Sequence, residues 1–293
     1  IFGQGAIRCH PFVEKEMNAV AKGDLVAFDR AFFGHICFTI ANVFRAKWYA
    51  LTGASFASAP SVPKVKCYFK QLTRMSTAFA VFADIAMGAL GGDLKRKERL
   101  SSRFANILAW MYLASSSLKY YVDRGQQQKD LIFVRWCCQY SLHQIGLSFN
   151  GLFENFPNRL AAFAAKLVTF PFGISYRPPS DSLTAELSLA LLYDEQVRDE
   201  LTLQAYRPLA TEQGLGRLEW ARTKVLAAKS VETKIKAAVK AKKLDKAPKN
   251  NVSERALKAG VISQAEFNSF SEAEKARDEA IQVDAFNSLP AAV

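Results

Sequence analysis

Through the middle of the chain the apolar residues return every three or four positions. One run is Val65, Tyr68, Leu72, Met75, Phe79, Phe82 and Ala86; another is Leu100, Phe104, Ile107, Met111, Ala114, Leu118 and Tyr121. Alternating steps of three and four keep these side chains on one face of an α-helix, and a period-2 reading fits neither run. The segment from Asp24 to about Leu51 has similar spacing and predicts a helix that buries Leu25, Phe28, Phe32, Ile36, Ile40 and Val43. A fourth helix, from about Asp130 to Asn155, is polar at its ends and apolar along Leu131, Val134, Cys138, Ser141, Ile145 and Leu152.

Stop chemistry separates these helices. Ser58-Ala59-Pro60-Ser61-Val62-Pro63 cannot continue a helix, because proline lacks an amide proton and restricts the residue before it. Gly91-Gly92-Asp93 ends one helix with residues that tolerate left-handed backbone, and Asp93 is placed to cap the next. Lys95, Arg96 and Lys97 then fall in a first turn where the helix dipole disfavours cations. Asp123-Arg124-Gly125-Gln126 closes the following helix. Long helices joined by short loops predict an all-α fold, an up-down helical bundle followed by a shorter helical tail.

Two stretches are greasier than a bundle helix needs. Ala31 to Phe44 spans only 14 residues between Asp29-Arg30 and Arg45. A membrane span needs about 20, so a buried bundle helix is the expected reading. Arg159 to Phe172 carries Leu160, Phe163, Leu167, Val168, Phe170 and Phe172. It is expected to pack across the bundle, with a lipid-facing surface as the alternative.

Composition narrows the class. With 22 Phe and 4 Trp, half the residues hydrophobic and 23% charged, the chain has enough apolar area to fold rather than stay disordered. Five unevenly spaced cysteines (Cys9, Cys37, Cys67, Cys137, Cys138) form no C-x-x-C pair, which argues for free thiols in a reducing compartment. The chain opens on Ile1 with no basic leader, and is expected to be an interior piece of something longer.

The net charge of +12 is not evenly spread. Residues 222–249 hold ten cations and two acids, so 28 residues supply +8 of it. A predicted helix carries this charge, with an apolar stripe at Val225, Leu226, Val231, Ile235 and Val239. Lysine outnumbers arginine nine to one there and no aromatic is interleaved, so neither base readout nor a stacking platform is on offer. A solvated helix face is expected, with an anionic membrane surface or an acidic protein as alternatives and no nucleic acid partner. Ser180 to Leu192 predicts a shorter amphipathic helix, and a start at Ser253 leads into short acidic helices.

Catalytic vocabulary is sparse. Only His10, His35 and His143 are present, none at helical zinc spacing, and no G-x-S-x-G, P-loop or EF-hand pattern occurs. Gly3-Gln4-Gly5 matches only the opening of a dinucleotide fingerprint, since Arg8 stands where a small residue is required. His35 and His143 are expected to be hydrogen-bonded core or groove residues. No residue is assigned as catalytic, cofactor-binding or metal-ligating.

Several ordered segments resemble one family. Phe2-Gly3-Gln4-Gly5-Ala6-Ile7-Arg8-Cys9-His10-Pro11 resembles a stretch of the FadE-type acyl-CoA dehydrogenase of bacterial fatty-acid oxidation. So do Phe28 to His35, Leu51-Thr52-Gly53, Ser58-Ala59-Pro60, Met87 to Arg99, Phe156-Pro157-Asn158-Arg159, Pro178-Pro179-Ser180-Asp181 and Gly260-Val261-Ile262. Between about 205 and 250 the likeness fades, so the basic helix is expected to be peculiar to this chain.

The resemblance implies an enzyme that holds FAD and oxidises fatty acyl-CoA to trans-2-enoyl-CoA in β-oxidation, passing electrons to an acceptor such as electron-transfer flavoprotein. The implied base is a glutamate in a Glu-Gly motif upstream of the Phe-Gly-Gln-Gly stretch; Glu14 and Glu16 lie on its other side, so the chain itself is expected to be inactive. By the same likeness, residues 1–22 end the last helix of the dehydrogenase core and residues 24–180 form an appended bundle. Residues 181–293 form a helical tail with the basic helix at 222–249. The implied roles are structural, homodimer or membrane-docking. The implied place is the cytoplasm, peripheral at the inner face of the bacterial plasma membrane. The alternative is a helical interaction module with no catalytic role.

Overall fold

The computed structural model describes residues 10–203, 205–206, 208–245 and 251–283. Among these residues there are eleven α-helices and no strand, so the fold is all-α. They divide into two compact units, one within residues 1–190 and one within 191–293.

The first unit is built on α1 (Val13–Lys22), α2 (Leu25–Leu51), α3 (Lys66–Leu90), α4 (Glu98–Asp123), α5 (Leu131–Asn155) and the short α6 (Arg159–Thr169). Its core follows the sequence pattern closely on three helices. All seven residues picked out on α4 are buried. On α3 Leu72, Met75, Phe82 and Ala86 are buried, with Val65 just ahead of the helix, and Tyr68 and Phe79 pack in part against them. All six positions expected on α5 are buried. At the centre the Phe82 ring lies 5.5 Å from Phe104, 5.1 Å from Phe153 and 5.2 Å from Phe156, centroid to centroid. Offset aromatic contacts at such distances add to the plain gain of burial. Helix α3 is apolar and long enough to cross a membrane by composition alone, yet its apolar residues make up this core.

Helix α2 departs from the expectation. Its buried residues are Ala31, Asn42, Ala46 and Ala50. Leu25, Phe32, Ile36 and Ile40, expected inside, are exposed, and Phe28 and Val43 are only half-buried. The physical reason is that α2 is apolar on nearly every side, so periodicity cannot say which face turns inward. Close helix packing takes the small alanines, leaving the large side chains outside.

Loop chemistry accounts for the rest. Gly23 is left-handed (φ 68°), and Asp24 then caps α2 by accepting from the Ala27 amide at 2.9 Å. Gly91, at φ 50° and ψ −127°, ends α3. Lys95, Arg96 and Lys97 do not enter the next helix: residues Gly91–Lys95 form a 3-10 turn, and α4 starts at Glu98, an acid that suits the helix dipole. Asp93 is not the cap of α4; its carbonyl accepts from the Arg96 and Lys97 amides. Asn158 caps α6 through the Ala161 amide at 3.0 Å.

Helix α7 (Asp181–Tyr193) begins where Ser180 accepts from the Leu183 amide, and it buries no residue. The second unit holds α8 (Glu195–Leu201), α9 (Leu215–Lys240), α10 (Val252–Lys258) and α11 (Gln264–Ile281). Its core joins Val231, Ile235 and Ala238 of α9 with Leu244, Ala256 and Ile262. Ser263 and Glu266 form a reciprocal capping box at the start of α11. Ser253 is not a helix start; it lies buried inside α10.

Candidate functional site

Two of the segments that carry the family likeness, at His35 on α2 and at Met87 to Lys95, meet around one cavity of about 310 Å³, with Val13 of α1 as a further wall. Val13, Met87 and Leu94 give it apolar walls; His35 and Lys95 are its ionisable groups. Gly3-Gln4-Gly5 lies outside the described residues.

Beside this cavity a polar cluster joins α1, α2 and α3. His10 Nδ1 accepts from the amides of Phe12 at 3.3 Å and Val13 at 3.2 Å, so it acts as a side-chain cap for α1. His10 Nε2 is buried 3.2 Å from Asp84 Oδ1, within ion-pair range but without a hydrogen bond. Thr39 donates its hydroxyl to Asp84 Oδ2 at 3.1 Å. His35 Nδ1 and Glu16 Oε1 are 2.9 Å apart, and the two imidazole rings are 4.4 Å apart. Phe12 stacks at 8° on His35, and its ring occupies the space that a side chain at Gly34 would need. Burial holds the His10 pKa below its ordinary value, and the His35 ring pushes the same way; Asp84 and Glu16 oppose both.

His10, His35 and Asp84 bring potential ligand atoms within 4.8 Å of one another. The tautomer argues against a metal there. With Nδ1 accepting from two amides, neutral His10 carries its proton on Nε2, leaving no lone pair for an ion. The trio is a hydrogen-bond and charge cluster. Sequence spacing could not reveal it, since its members, on the turn before α1 and on α2 and α3, are 25 and 49 residues apart.

The other singled-out residues have structural partners. His143 Nδ1 lies 2.8 Å from the Tyr176 carbonyl, and Tyr176 donates to Gln71, fastening the segment after α6 onto the bundle. Cys138 is buried, which raises its thiol pKa, whereas Cys37 and Cys67 are exposed.

The surface of α2 is apolar. Val26, Phe33, Ile36, Ile40, Phe44, Trp48 and Leu51 form an outward row along α2, with Phe44 72% exposed. On neighbouring α6, which Lys47 reaches through the Leu167 carbonyl at 2.9 Å, Leu160, Phe163 and Leu167 also face out, and Phe172 follows them. Both greasy stretches thus turn their bulk outward, while Ala162, Ala165 and Thr169 seat α6 on the bundle. At 150–250 Å² for each fully exposed aromatic side chain, the α2 row alone leaves on the order of 700 Å² of apolar surface. Monomeric proteins rarely show more than a few hundred Å² in one patch. Residues 24–51 and 159–172 together carry five cations and two acids.

The basic helix has an acidic neighbour inside its own unit. Lys224 pairs with Glu272 at 2.7 Å and Lys234 pairs with Glu266, both acids on α11. Lys236 pairs with Glu232, and the Lys229 ammonium lies 3.3 Å from the Tyr193 ring centroid. The helix runs from Leu215 to Lys240, earlier than the charge run suggests, and residues 246–250 lie outside the described part.

Residues 7–286 match the family described as "Acyl-CoA dehydrogenase, C-terminal, bacterial type". The match runs through residues 205–250, where the likeness is expected to fade. No solved structure matches.

Proposed function

The chain belongs to the bacterial-type acyl-CoA dehydrogenase C-terminal family, and from that premise we propose that it is the non-catalytic helical part of an FAD-dependent acyl-CoA dehydrogenase of fatty-acid β-oxidation. In this reading the parent enzyme converts fatty acyl-CoA to trans-2-enoyl-CoA and hands electrons to an acceptor such as electron-transfer flavoprotein. Residues 1–22 close its dehydrogenase core, 24–180 are the appended bundle and 181–293 the tail.

The lining of the cavity beside His35 does not fit a flavin. The cavity beside His35, at about 310 Å³, is walled by apolar side chains and glycines and has one histidine and one lysine as its ionisable groups. A dinucleotide's phosphates call for several converging donors or a helix N-terminus, whereas this cavity adjoins the C-terminal end of α3. No chemical step is therefore assigned to this part of the enzyme.

Its role is docking. The observation that carries this is the outward apolar row of α2, continued on α6, with basic residues in the same two segments. Aromatic and aliphatic side chains beside Lys and Arg suit an anionic membrane surface at the inner face of the plasma membrane. A homodimer contact is the second reading, supported by the three- and four-residue spacing of Phe33, Cys37, Ile40, Phe44, Trp48 and Leu51.

Two assays test the proposal. The purified chain should neither retain FAD nor oxidise palmitoyl-CoA; activity would place the proton-abstracting glutamate within these residues and overturn the reading. The chain should float with anionic vesicles and lose that binding with neutral ones. A concentration-dependent dimer that ignores vesicles would replace the membrane reading with the second one.

A further inference from the structure

We propose that the His10–Asp84–His35–Glu16 cluster is a proton-operated latch: neutral His10 caps the start of α1 and so keeps residues 10–22 in place on α2, and protonation of its ring undoes that cap and loosens them. The latch stands on geometry and does not depend on the docking role.

The tautomer is the starting point. Nδ1 of His10 can accept from the Phe12 and Val13 amides only while it is unprotonated. A proton arriving from solvent at Nδ1 fills that lone pair and ends both hydrogen bonds. It also sets a positive charge at the N-terminus of α1, where the helix dipole is itself positive. The same imidazole lies 4.4 Å from His35 and edge-on to Phe38 at 5.7 Å, so the new charge is poorly solvated. One protonation thus removes a cap and adds an unfavourable charge.

Charged groups reach the ring from each element packed on it. Asp84 from α3 and Glu16 from α1 favour the cation, His35 from α2 opposes it, and burial opposes it most. Lys15 sits over the Phe12 ring at 5.5 Å, and Lys95 shares the cavity with His35. The two carboxylates are already engaged, Glu16 by His35 and Asp84 by Thr39. Asp84 Oδ1 lies 3.2 Å from Nε2 and pulls toward the cation, but burial outweighs it.

The sign follows from His10 binding its proton less readily in the folded chain than at the ordinary value of 6.5. The stabilisation is full above pH 6.5 and is lost as pH falls through the lower folded value. Between 6.5 and the lower folded value the ratio of latched to released chain falls by up to about tenfold per pH unit for one proton, and below both values it levels off. If residues 1–22 do end the dehydrogenase core, a consequence that rests on the proposed function, the latch sets whether that core is held to the bundle.

Long-range proton–nitrogen spectra of the imidazoles and amide hydrogen exchange, both on the full chain, test this without reference to activity. At pH 7.5 His10 should show protonated Nε2 and bare Nδ1. The protection factors of residues 13–22 should fall by pH 5, by no more than about thirtyfold for one proton, while those of α3, α4 and α5 hold. In His10→Asn the side-chain carbonyl can cap α1 but does not titrate, so protection of 13–22 should become flat between pH 7.5 and 5. An Nδ1–H tautomer at pH 7.5 overturns the latch, as does equal protection of wild-type 13–22 at both pH values. A His10→Asn chain that keeps the wild-type pH profile would also overturn it.

Discussion

Phe82 and Phe44 set the same side chain in the core and on the surface of the bundle, and truncating each to alanine should give very different results. Phe82 is fully buried, with the Phe104, Phe153 and Phe156 rings 5.1–5.5 Å away. Removing it loses the transfer energy of a benzyl group and leaves a cavity that three fixed rings cannot fill, a cost of about 3–5 kcal/mol. For a cooperative unit of 150–250 residues, each kcal/mol lowers Tm by about 2–4 °C, so Phe82→Ala should melt about 6–20 °C lower. Phe44, 72% exposed, gives up little that the fold uses, and its truncation should cost no more than about 0.5 kcal/mol. Circular dichroism melts and urea midpoints measured at low protein concentration separate the two. A Phe44→Ala loss comparable to that of Phe82→Ala would mean that the α2 row is already covered in the isolated chain. A neutral Phe82→Ala would refute the aromatic core itself.

Four further outcomes follow from the same structure. Gly216→Ala places a methyl carbon 2.2 Å from the Leu209 carbonyl oxygen, and because backbone has to move it should cost about 1–3 kcal/mol by urea denaturation. Gly34→Ala meets only the end of the Phe12 ring at 2.6 Å, so it should loosen residues 10–22 in hydrogen exchange while the Tm of the bundle moves little. In thiol titration of the native chain Cys37 and Cys67 should react readily, and Cys138 only after unfolding, because burial raises its pKa. Lys234→Ala should weaken the second unit slightly at low salt and not at 1 M salt, since its pair with Glu266 is solvent-exposed.

The bundle was legible wherever one face of a helix is apolar and the other is not. On α4 the alternating run from Leu100 to Tyr121 picks out the buried residues one for one, although Leu108, Tyr112 and Leu113 stand exposed on the other side. On α2 the same reasoning selects the wrong side. Phe32, Phe33, Ile36, Ile40 and Phe44 share one broad face that stays outside, and the deciding fact is that small Ala31, Ala46 and Ala50 permit close approach. That misreading is itself informative, since a helix apolar all round needs partners on both sides. The lysine-rich helix was legible as charge but not as a pair, because its acids arrive from α11, 32 and 48 residues later. The cluster around His10 and Asp84 stayed hidden for a like reason: its members share a site only after three helices have packed.

The docking surface is the claim on which the proposed role turns, and vesicle flotation of two folded chains tests it most directly. One is the chain as it stands; the other carries Phe33→Ser, Ile40→Ser and Phe44→Ser, three outward positions whose change should leave the melting curve nearly intact. The account predicts that the first floats with anionic vesicles, less so at high salt, and that the second stays at the bottom of the gradient. Equal flotation of the two chains would contradict it, as would failure of the unaltered chain to float at all.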